Sequence, residues 1–141
     1  MLIYDEDLIK IQIYFKQVGH NFLAHTASEF EKLKLKDDKK AKFSEVNIKM
    51  APLTFSLQNQ LQEEAMVDDN TGSGDRRFNY KLFKENKLIK LIKEWDATGK
   101  EKKPVPVSKS SIEHLAPSIA ETILRGYDEA STVTEEEEKN S

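Results

Sequence analysis

Hydrophobic and polar residues alternate strictly near the start of the chain. One face of an extended segment from Leu8 to Lys16 would carry Ile9, Ile11, Ile13 and Phe15, and the other face Lys10, Gln12, Tyr14 and Lys16. A period of two is typical of a half-buried strand. The residues from Gln17 to Asn21 are typical of a turn, so we predict a second strand near Phe22 to Thr26.

The same alternation returns in Val46, Ile48 and Met50. Pro52 is expected to end that strand, because proline cannot donate a ladder hydrogen bond. The segment from Phe30 to Lys36 fits two structures. Its leucines alternate with lysines, as in a strand, yet Ser28 followed by Glu31 also matches the capping box of a helix. We therefore predict an antiparallel sheet of three or four strands.

Beyond Pro52 the apolar residues recur at the spacing of a helix. Thr54 is a suitable N-cap for a first helix, whose apolar face would carry Leu57, Leu61 and Ala65. A polar loop is predicted from Asp68 to Asp75, and a second helix from about Phe78 to Trp95.

The last helix is expected to begin at Pro117, because proline is favoured at the first helical position. Its apolar face would carry Ile119, Ile123, Leu124 and Tyr127. Ser110 with Glu113 predicts a capping box for a short helical turn before it. The predicted fold class is therefore α+β: an N-terminal antiparallel sheet of three or four strands followed by three helices, with an acidic disordered C-terminal tail.

Length and composition predict a single folded domain. The chain has 141 residues, of which 38% are hydrophobic and 33% charged, so we assign residues 1–130 to one α+β domain. From Ser131 onwards apolar residues almost vanish, and four glutamates follow one another from Glu135 to Glu138. Residues 131–141 are therefore predicted to be an acidic flexible tail, because such a segment cannot bury enough apolar surface to become ordered.

Composition also disfavours several classes of function. The absence of cysteine excludes disulfides and thiolate zinc sites. A formal net charge of −3 at pH 7 disfavours nucleic acid as a partner. No apolar run approaches the roughly 20 residues that a membrane span needs, and the N-terminus is acidic where a secretory signal would be basic. We therefore expect a cytoplasmic protein that does not associate with membranes.

No motif predicts catalysis, a metal site or a cofactor. His20, His25 and His114 lack the spacing of metal ligands. The segment from Gly72 to Gly74 lacks the lysine and hydroxyl residue of a phosphate-binding loop, and no nucleophile elbow occurs. We therefore predict a non-enzymatic protein without cofactors, which acts by binding another macromolecule.

Two features of the second predicted helix are candidate binding elements. The first is a basic series opposed within it only by Glu85: Arg76, Arg77, Lys81, Lys84, Lys87, Lys90 and Lys93. Its lysine stems either flank an apolar stripe and keep it soluble, or contact an acidic partner. The second is Trp95, the only tryptophan, which is either a core anchor or a partner-facing anchor. The predicted partner-binding residues are Leu88, Ile92, Trp95, Lys84 and Lys87.

Two stretches of the sequence resemble a known family. The first is Met50-Ala51-Pro52-Leu53-Thr54-Phe55 with the amphipathic segment that follows it. The second comprises Leu88 to Asp96, Pro104-Val105-Pro106-Val107, Ile112-Glu113-His114-Leu115 and Pro117-Ser118-Ile119-Ala120. This order of P-L-T, W-D, P-V-P-V and I-x-x-L-x-P-x-I-A is similar to that of bacteriophage tail assembly chaperones, over roughly residues 44 to 130.

The resemblance implies a non-enzymatic protein of virion morphogenesis that binds the tape measure protein, or another tail protein, in the bacterial host cytoplasm. It implies protein–protein interaction, with a homo-oligomer among the states to be considered, and no catalytic residue. It also implies that a frameshift-extended form could exist, since Glu138-Lys139-Asn140 can be encoded by a slippery heptamer. Two alternatives remain: a permanent virion subunit of the tail or head–tail connector, and a nucleic-acid-binding regulator that only the basic series supports.

Overall fold

The computed structural model describes residues 8–68, 71–72 and 74–139, and the side chains of 100 and 132–139 are outside that description. In chain order the elements are β1 (Ile9–Val18), β2 (Asn21–Thr26), α1 (Ala27–Lys32), α2 (Asp37–Lys40), β3 (Ser44–Met50), α3 (Phe55–Glu64), β4 (Met66–Asp68), β5 (Arg76–Phe78), α4 (Tyr80–Leu91), β6 (Ile92–Trp95), a 3₁₀ turn (Lys100–Lys102), α5 (Lys109–Glu113) and α6 (Pro117–Lys139). The predicted acidic N-terminus and the last two residues of the predicted tail lie outside the described residues.

The centre of the fold is a four-stranded antiparallel sheet in the order β2-β1-β3-β6. The predicted turn joins β1 to β2 at Gly19 and His20, and Gly19 has a φ of 64°, which a hairpin of two loop residues favours. The sheet lies in the N-terminal half, apart from its last strand, and most of the helices follow it. The predicted α+β class is confirmed.

The predicted helix from Phe78 to Trp95 is wrong at both ends. Residues 76–78 pair with β4 as a short hairpin that was not predicted, and the helix begins only at Tyr80. The helix α4 ends at Leu91, and the next four residues form β6 along β3, with Ile92 opposite Met50 and Trp95 opposite Ile48. The apolar stripe of this segment continues at helical spacing, but pairing with the open edge of β3 overrides the local preference.

Helix caps lie two residues earlier than predicted at two places. In α1 the capping box consists of Thr26 and Glu29, each side chain bonding the backbone N–H of the other, rather than of Ser28 and Glu31. In α5 the cap is Ser108 rather than Ser110, and its hydroxyl accepts from the Ser111 N–H at 3.1 Å. The prediction of helix starts is confirmed at Thr54, which caps α3, and the ambiguous segment after Thr26 begins as a helix. At both places the residue that caps the helix has the extended backbone that an N-cap needs, and Thr26 has it because it ends β2.

The main core lies on one face of the sheet, here called the inner face. Alternate residues of β1 and β3 point into it, and its fully enclosed side chains include Ile13, Ile48, Met50, Leu61 and Leu91. The helix α6 crosses β1 and β2 on this face, where Ile123 and Tyr127 are buried. Burial of each such side chain contributes about 1.5–3 kcal/mol to folding.

The opposite, outer face of the sheet carries a small aromatic cluster. The rings of Tyr14 and Phe30 stack with centroids 4.2 Å apart, and Phe43 meets Phe30 edge-on at 5.0 Å. This contact holds α1 and the segment after it against the outer face, so the helices do not all pack on one face as a simple two-layer arrangement would have it. Burial, and secondarily the charge of Glu45, raises the pKa of the Tyr14 hydroxyl.

The last helix begins at Pro117 as predicted, and its backbone is helical to Lys139. Its described side chains reach Ser131. The predicted flexibility of residues 131–141 stays a prediction, because the side chains are described only as far as Ser131.

Candidate functional site

An open apolar cleft of about 620 Å³ lies between the inner face of the sheet and the chain that runs from β6 to α6. We call it the inner cleft. One wall is the sheet, which contributes Phe15 and Phe22, whose rings lie 6.0 Å apart. The other walls are contributed by Trp95, Val105, Leu115 and Ile119.

The Trp95 side chain closes the end of the inner cleft and is held in place by one hydrogen bond. Its Nε1 donates to the Val105 carbonyl at 2.7 Å. The backbone around it forms a narrow loop, because the Val105 N–H donates to the Ala97 carbonyl at 3.0 Å and the Gly99 N–H to the Lys103 carbonyl at 2.8 Å. The proline-bearing connection is therefore an ordered wall rather than a loose linker.

Asp96 fixes this loop to the sheet. Its two carboxylate oxygens accept from the Asn47 backbone N–H at 2.7 Å and from the Asn47 side-chain amide at 2.8 Å, and the Asp96 N–H returns a bond to the Asn47 carbonyl at 3.2 Å. Charge-assisted hydrogen bonds of this kind are short and directional. Trp95 and Asp96 therefore both have a positioning role. The Trp95 indole is bonded to the loop at Val105, and the Asp96 carboxylate is bonded to Asn47 of strand β3.

The far wall of the inner cleft is set by α5 and the first turn of α6. Ile112 of α5 is buried, which anchors this helix in the core. The Ser118 hydroxyl donates to the Phe22 carbonyl at 2.8 Å, and it thereby ties the start of α6 to the edge strand β2. His114 lies at the rim, where its Nδ1 is 2.7 Å from the Ser110 carbonyl. The cleft thus has a mainly apolar lining, with hydroxyl groups and the His114 ring at its polar edge.

Two of the predicted partner-binding residues are not on the surface. Leu88 and Ile92 are each 3% exposed and belong to the core cluster. That they bind a partner stays a prediction, although the core of this fold covers both side chains. A stripe of apolar residues looks the same in the sequence whether a partner or the protein's own core covers it.

Two predicted lysines are engaged within the molecule. Lys84 forms an ion pair with Glu121 of α6, and its ammonium lies 5.3 Å from the Tyr80 ring centroid. Lys87 is 3.7 Å from the Asp128 carboxylate and lies over the Tyr127 ring at 5.5 Å. Its side chain is only 14% exposed. Both lysines therefore join α4 to α6, which supports the structural interpretation of the basic series.

Trp95 is the one predicted partner-binding residue that the structure places at an open site. It is half-buried, packs against the core cluster and lines the inner cleft. The interpretations of Trp95 as a core anchor and as a partner-facing anchor thus both retain support, since the same indole contacts the core and lines an accessible cavity. Phe15 and Phe22, which also line the cleft, were not predicted to be binding residues from the sequence.

The described residues contain no group of three or more His, Asp or Glu side chains that could hold a metal ion. Across the same residues, no helix is both long enough and apolar enough to cross a membrane. The inner cleft itself offers apolar contact and a few hydroxyl groups, which suits the binding of apolar side chains. Comparison with known proteins gives no match: no protein-family model, curated protein or solved structure matches this chain.

Proposed function

We propose that this protein is a non-enzymatic assembly chaperone of bacteriophage tail morphogenesis, which binds a helical segment of the tape measure protein in the host cytoplasm. A long tape measure protein presents apolar helix surface before the tail tube encloses it. A chaperone must cover that surface reversibly, which an apolar groove on a rigid domain can do.

One observation carries the proposal. Three of the motifs that resemble those of tail assembly chaperones follow one another between Leu88 and Ala120, and residues from each of them line the same cavity. Trp95 of the W-D motif, Val105 of P-V-P-V, and Leu115 and Ile119 of the last motif all contribute to the inner cleft. Of these side chains, Trp95, Leu115 and Ile119 pack against the core and also line an accessible apolar surface, and that open surface supports a binding role.

The shape of the inner cleft indicates how a segment would bind. Its interior is apolar, and the loop that follows Trp95 is fixed to the sheet by the hydrogen bonds between Asp96 and Asn47. An amphipathic helix that lays its apolar ridge into the cleft would bury aromatic and aliphatic surface and leave its polar face in water. Such binding requires no new backbone hydrogen bonds, and it can therefore be released when tube subunits compete for the same ridge.

The test uses Trp95 as a built-in probe, because it is the only tryptophan and lines the inner cleft. Synthetic helical segments of the tape measure protein encoded by the same genome are titrated into the full chain. We expect one or more segments to shift the tryptophan emission to shorter wavelength, since binding removes the half-buried indole from water. The proposal fails if no segment changes the emission and none binds in a label-free measurement.

A pair of variants locates the binding. Ala116→Phe places a ring in the inner cleft, whereas Ser56→Phe places the same ring on the exposed side of α3. We expect at least about tenfold weaker binding for the first variant, which is about 1.4 kcal/mol, and unchanged binding for the second. Equal binding by both variants would remove the inner cleft from the proposal.

Quantitation in purified virions separates the proposed role from that of a permanent virion subunit. A chaperone leaves the assembled tail, so we expect the chain to be absent from mature virions while co-purifying with the tape measure protein from infected cells. A fixed copy number in mature virions would instead favour the structural subunit.

A further inference from the structure

A second concave surface lies on the outer face of the sheet, opposite the inner cleft. It is an open groove of about 470 Å³, here called the outer groove. Its floor consists of Leu23, Leu33, Leu35 and Phe43, and its rim of Lys16, Lys39 and Lys42. The groove is separated from the inner cleft by the sheet itself, so whatever binds it does not compete for the surface used above.

The floor of the outer groove exposes large apolar side chains. Leu23 is 42% exposed and Leu33 is 45% exposed, although both belong to short, ordered elements. The chain turns at Lys34, whose φ of 49° lies in the left-handed region, and the leucines on either side of it both line the groove. A non-glycine residue in this region costs about 1–2 kcal/mol. Because Lys34 directly follows the C-cap of α1, this conformation is one in which helices commonly end, and here the leucines on either side of it line the same groove.

The rim of the outer groove is positively charged, and among the described residues no carboxylate pairs with it. Lys16 lies over the Phe43 ring at 5.1 Å, and Lys39 and Lys42 are exposed. Among the residues that the structure describes, none of these three ammonium groups has a carboxylate within ion-pair distance. This differs from Lys84 and Lys87, which both have acidic partners on α6.

The charge around the outer groove also opposes that of the whole chain. Lys16, Lys39 and Lys42 line it, and no acidic side chain does among the described residues, on a chain whose net charge is −3. A positive surface on an acidic protein attracts anionic partners locally while the rest of the molecule repels them. Bare phosphate chains would leave the leucine floor unused. Of the aromatic rings that line the groove, Phe43 already lies under Lys16 and beside His25, so it offers nucleobases less surface for stacking.

From the apolar floor and the unpaired lysine rim together, we propose that the outer groove binds an acidic peptide segment that carries apolar side chains. The leucines and Phe43 take the apolar side chains of that segment, and Lys16, Lys39 and Lys42 pair with carboxylates that flank them. The apolar contacts and the lysine–carboxylate pairs are independent of each other, so each can be removed separately by substitution.

The test measures binding of a short fluorescein-labelled peptide composed of glutamate and leucine to the full chain, by fluorescence anisotropy. A second peptide replaces each leucine by serine, and a single-stranded RNA oligonucleotide of similar charge is the third probe. We expect the glutamate–leucine peptide to bind, its affinity to fall as salt is raised, and the serine peptide to bind at least about tenfold more weakly. Equal binding of the serine peptide, tighter binding of RNA, or no binding of the glutamate–leucine peptide would overturn the proposal.

Matched charge reversals then locate the site. Lys39→Glu with Lys42→Glu changes two exposed rim lysines, and Lys81→Glu with Lys90→Glu makes the same charge change on the exposed side of α4. We expect the first pair to weaken binding at least about tenfold and the second to have less than about a threefold effect. Similar losses in both pairs would indicate attraction by net charge alone and would reject the outer groove.

The location can be confirmed without any substitution. Amide chemical shifts of the unmodified protein are recorded during titration with the glutamate–leucine peptide, and we expect the largest changes at Leu23, Leu33 and Phe43. Changes centred on Leu115 and Ile119 would assign the peptide to the inner cleft and overturn the proposal, while leaving the proposed tape measure binding intact.

Discussion

Arg125 of α6 holds Glu29 of α1 through two parallel hydrogen bonds. Its Nε and one Nη atom each donate to a different carboxylate oxygen at 3.1 Å. The same carboxylate accepts from the Thr26 N–H, so a single side chain both completes the cap of α1 and ties α1 to α6. The hydrogen bonds from Arg125, with that from Thr26, hold the pKa of Glu29 below its usual value of 4.5.

This pair predicts a specific pH dependence of stability. A carboxyl group with a lowered pKa in the folded state stabilises the fold above about pH 4.5, and this contribution is lost as the pH falls through the folded-state pKa. Glu29→Gln keeps an acceptor for the cap but removes the charge. We expect it to lower the free energy of unfolding by about 0.5–1 kcal/mol at pH 7, because the pair is partly solvent-exposed, and to have little effect at pH 3.

The measurement is urea unfolding of the wild-type and Glu29→Gln chains at both pH values. The difference between the two chains isolates Glu29 from the other carboxyl groups, which titrate in both. An equal difference at pH 7 and pH 3 would show that the ion pair with Arg125 does not contribute.

Trp95 allows the hydrogen bond at the inner cleft to be separated from apolar packing. Trp95→Phe keeps a ring but leaves the Val105 carbonyl without its donor, and we expect a loss of about 1–2 kcal/mol in the free energy of unfolding. Trp95→Ala also removes the packing and should cost about 3 kcal/mol. Phe55→Ala is the control, since this ring is 81% exposed and its removal should cost less than about 0.5 kcal/mol.

Circular dichroism follows these unfolding curves, because the Trp95 variants lack tryptophan fluorescence. Similar losses for Trp95→Phe and Phe55→Ala would show that the hydrogen bond to Val105 contributes little, and an equally small loss for Trp95→Ala would show that the indole serves only a partner. In that case Trp95→Ala would fold normally and lose binding to the tape measure segments.

Gly126 marks the closest approach of α6 to the sheet. A methyl group at this position would lie 2.8 Å from the Ile11 Cγ2 atom, which is buried and cannot rotate freely. Alanine normally stabilises a helix interior by about 1 kcal/mol relative to glycine. We expect Gly126→Ala to reduce stability instead, by about 1 kcal/mol or more, because overpacking outweighs the helix preference.

Ile11→Ala supplies the control for this prediction. In that background the space beside Gly126 is open, and Gly126→Ala should become neutral or stabilising in a double-mutant cycle. An additive cycle would show that Ile11 does not limit the approach of α6.

The sheet could be predicted from the sequence where its strands alternate, and not where they do not. The strands β1 and β3 have a period of two, because one face of each is buried and the other meets water. The strand β6 lacks this pattern, since Ile92 and Trp95 continue the stripe of α4, and only the opposite strand β3 determines its structure. Local periodicity cannot report a partner that lies more than 40 residues away.

The residues of the candidate sites also divide into those that the sequence could predict and those that it could not. Trp95 was found because a single tryptophan is conspicuous, and Leu115 and Ile119 belong to a motif that was recognised. Phe22 and Phe15 reach the inner cleft only through the pairing of β1 with β2. The outer groove depends on the segment after Thr26, whose sequence fitted both strand and helix. Sites assembled by tertiary contacts thus become visible only when those contacts are known.

Lys87 tests whether the basic series is structural. Its side chain is largely covered, lies over the Tyr127 ring and approaches Asp128, whereas Lys81 on the same helix is exposed. Lys87→Ala removes a covered stem as well as a charge, so we expect a loss of about 1–2 kcal/mol in the free energy of unfolding. Lys81→Ala should change it by less than about 0.5 kcal/mol. Urea unfolding of both variants measures the difference, and binding of the tape measure segments is recorded in parallel. If Lys87→Ala left stability unchanged but weakened that binding, Lys87 would belong to an interface after all, because the loss would then arise only in the complex.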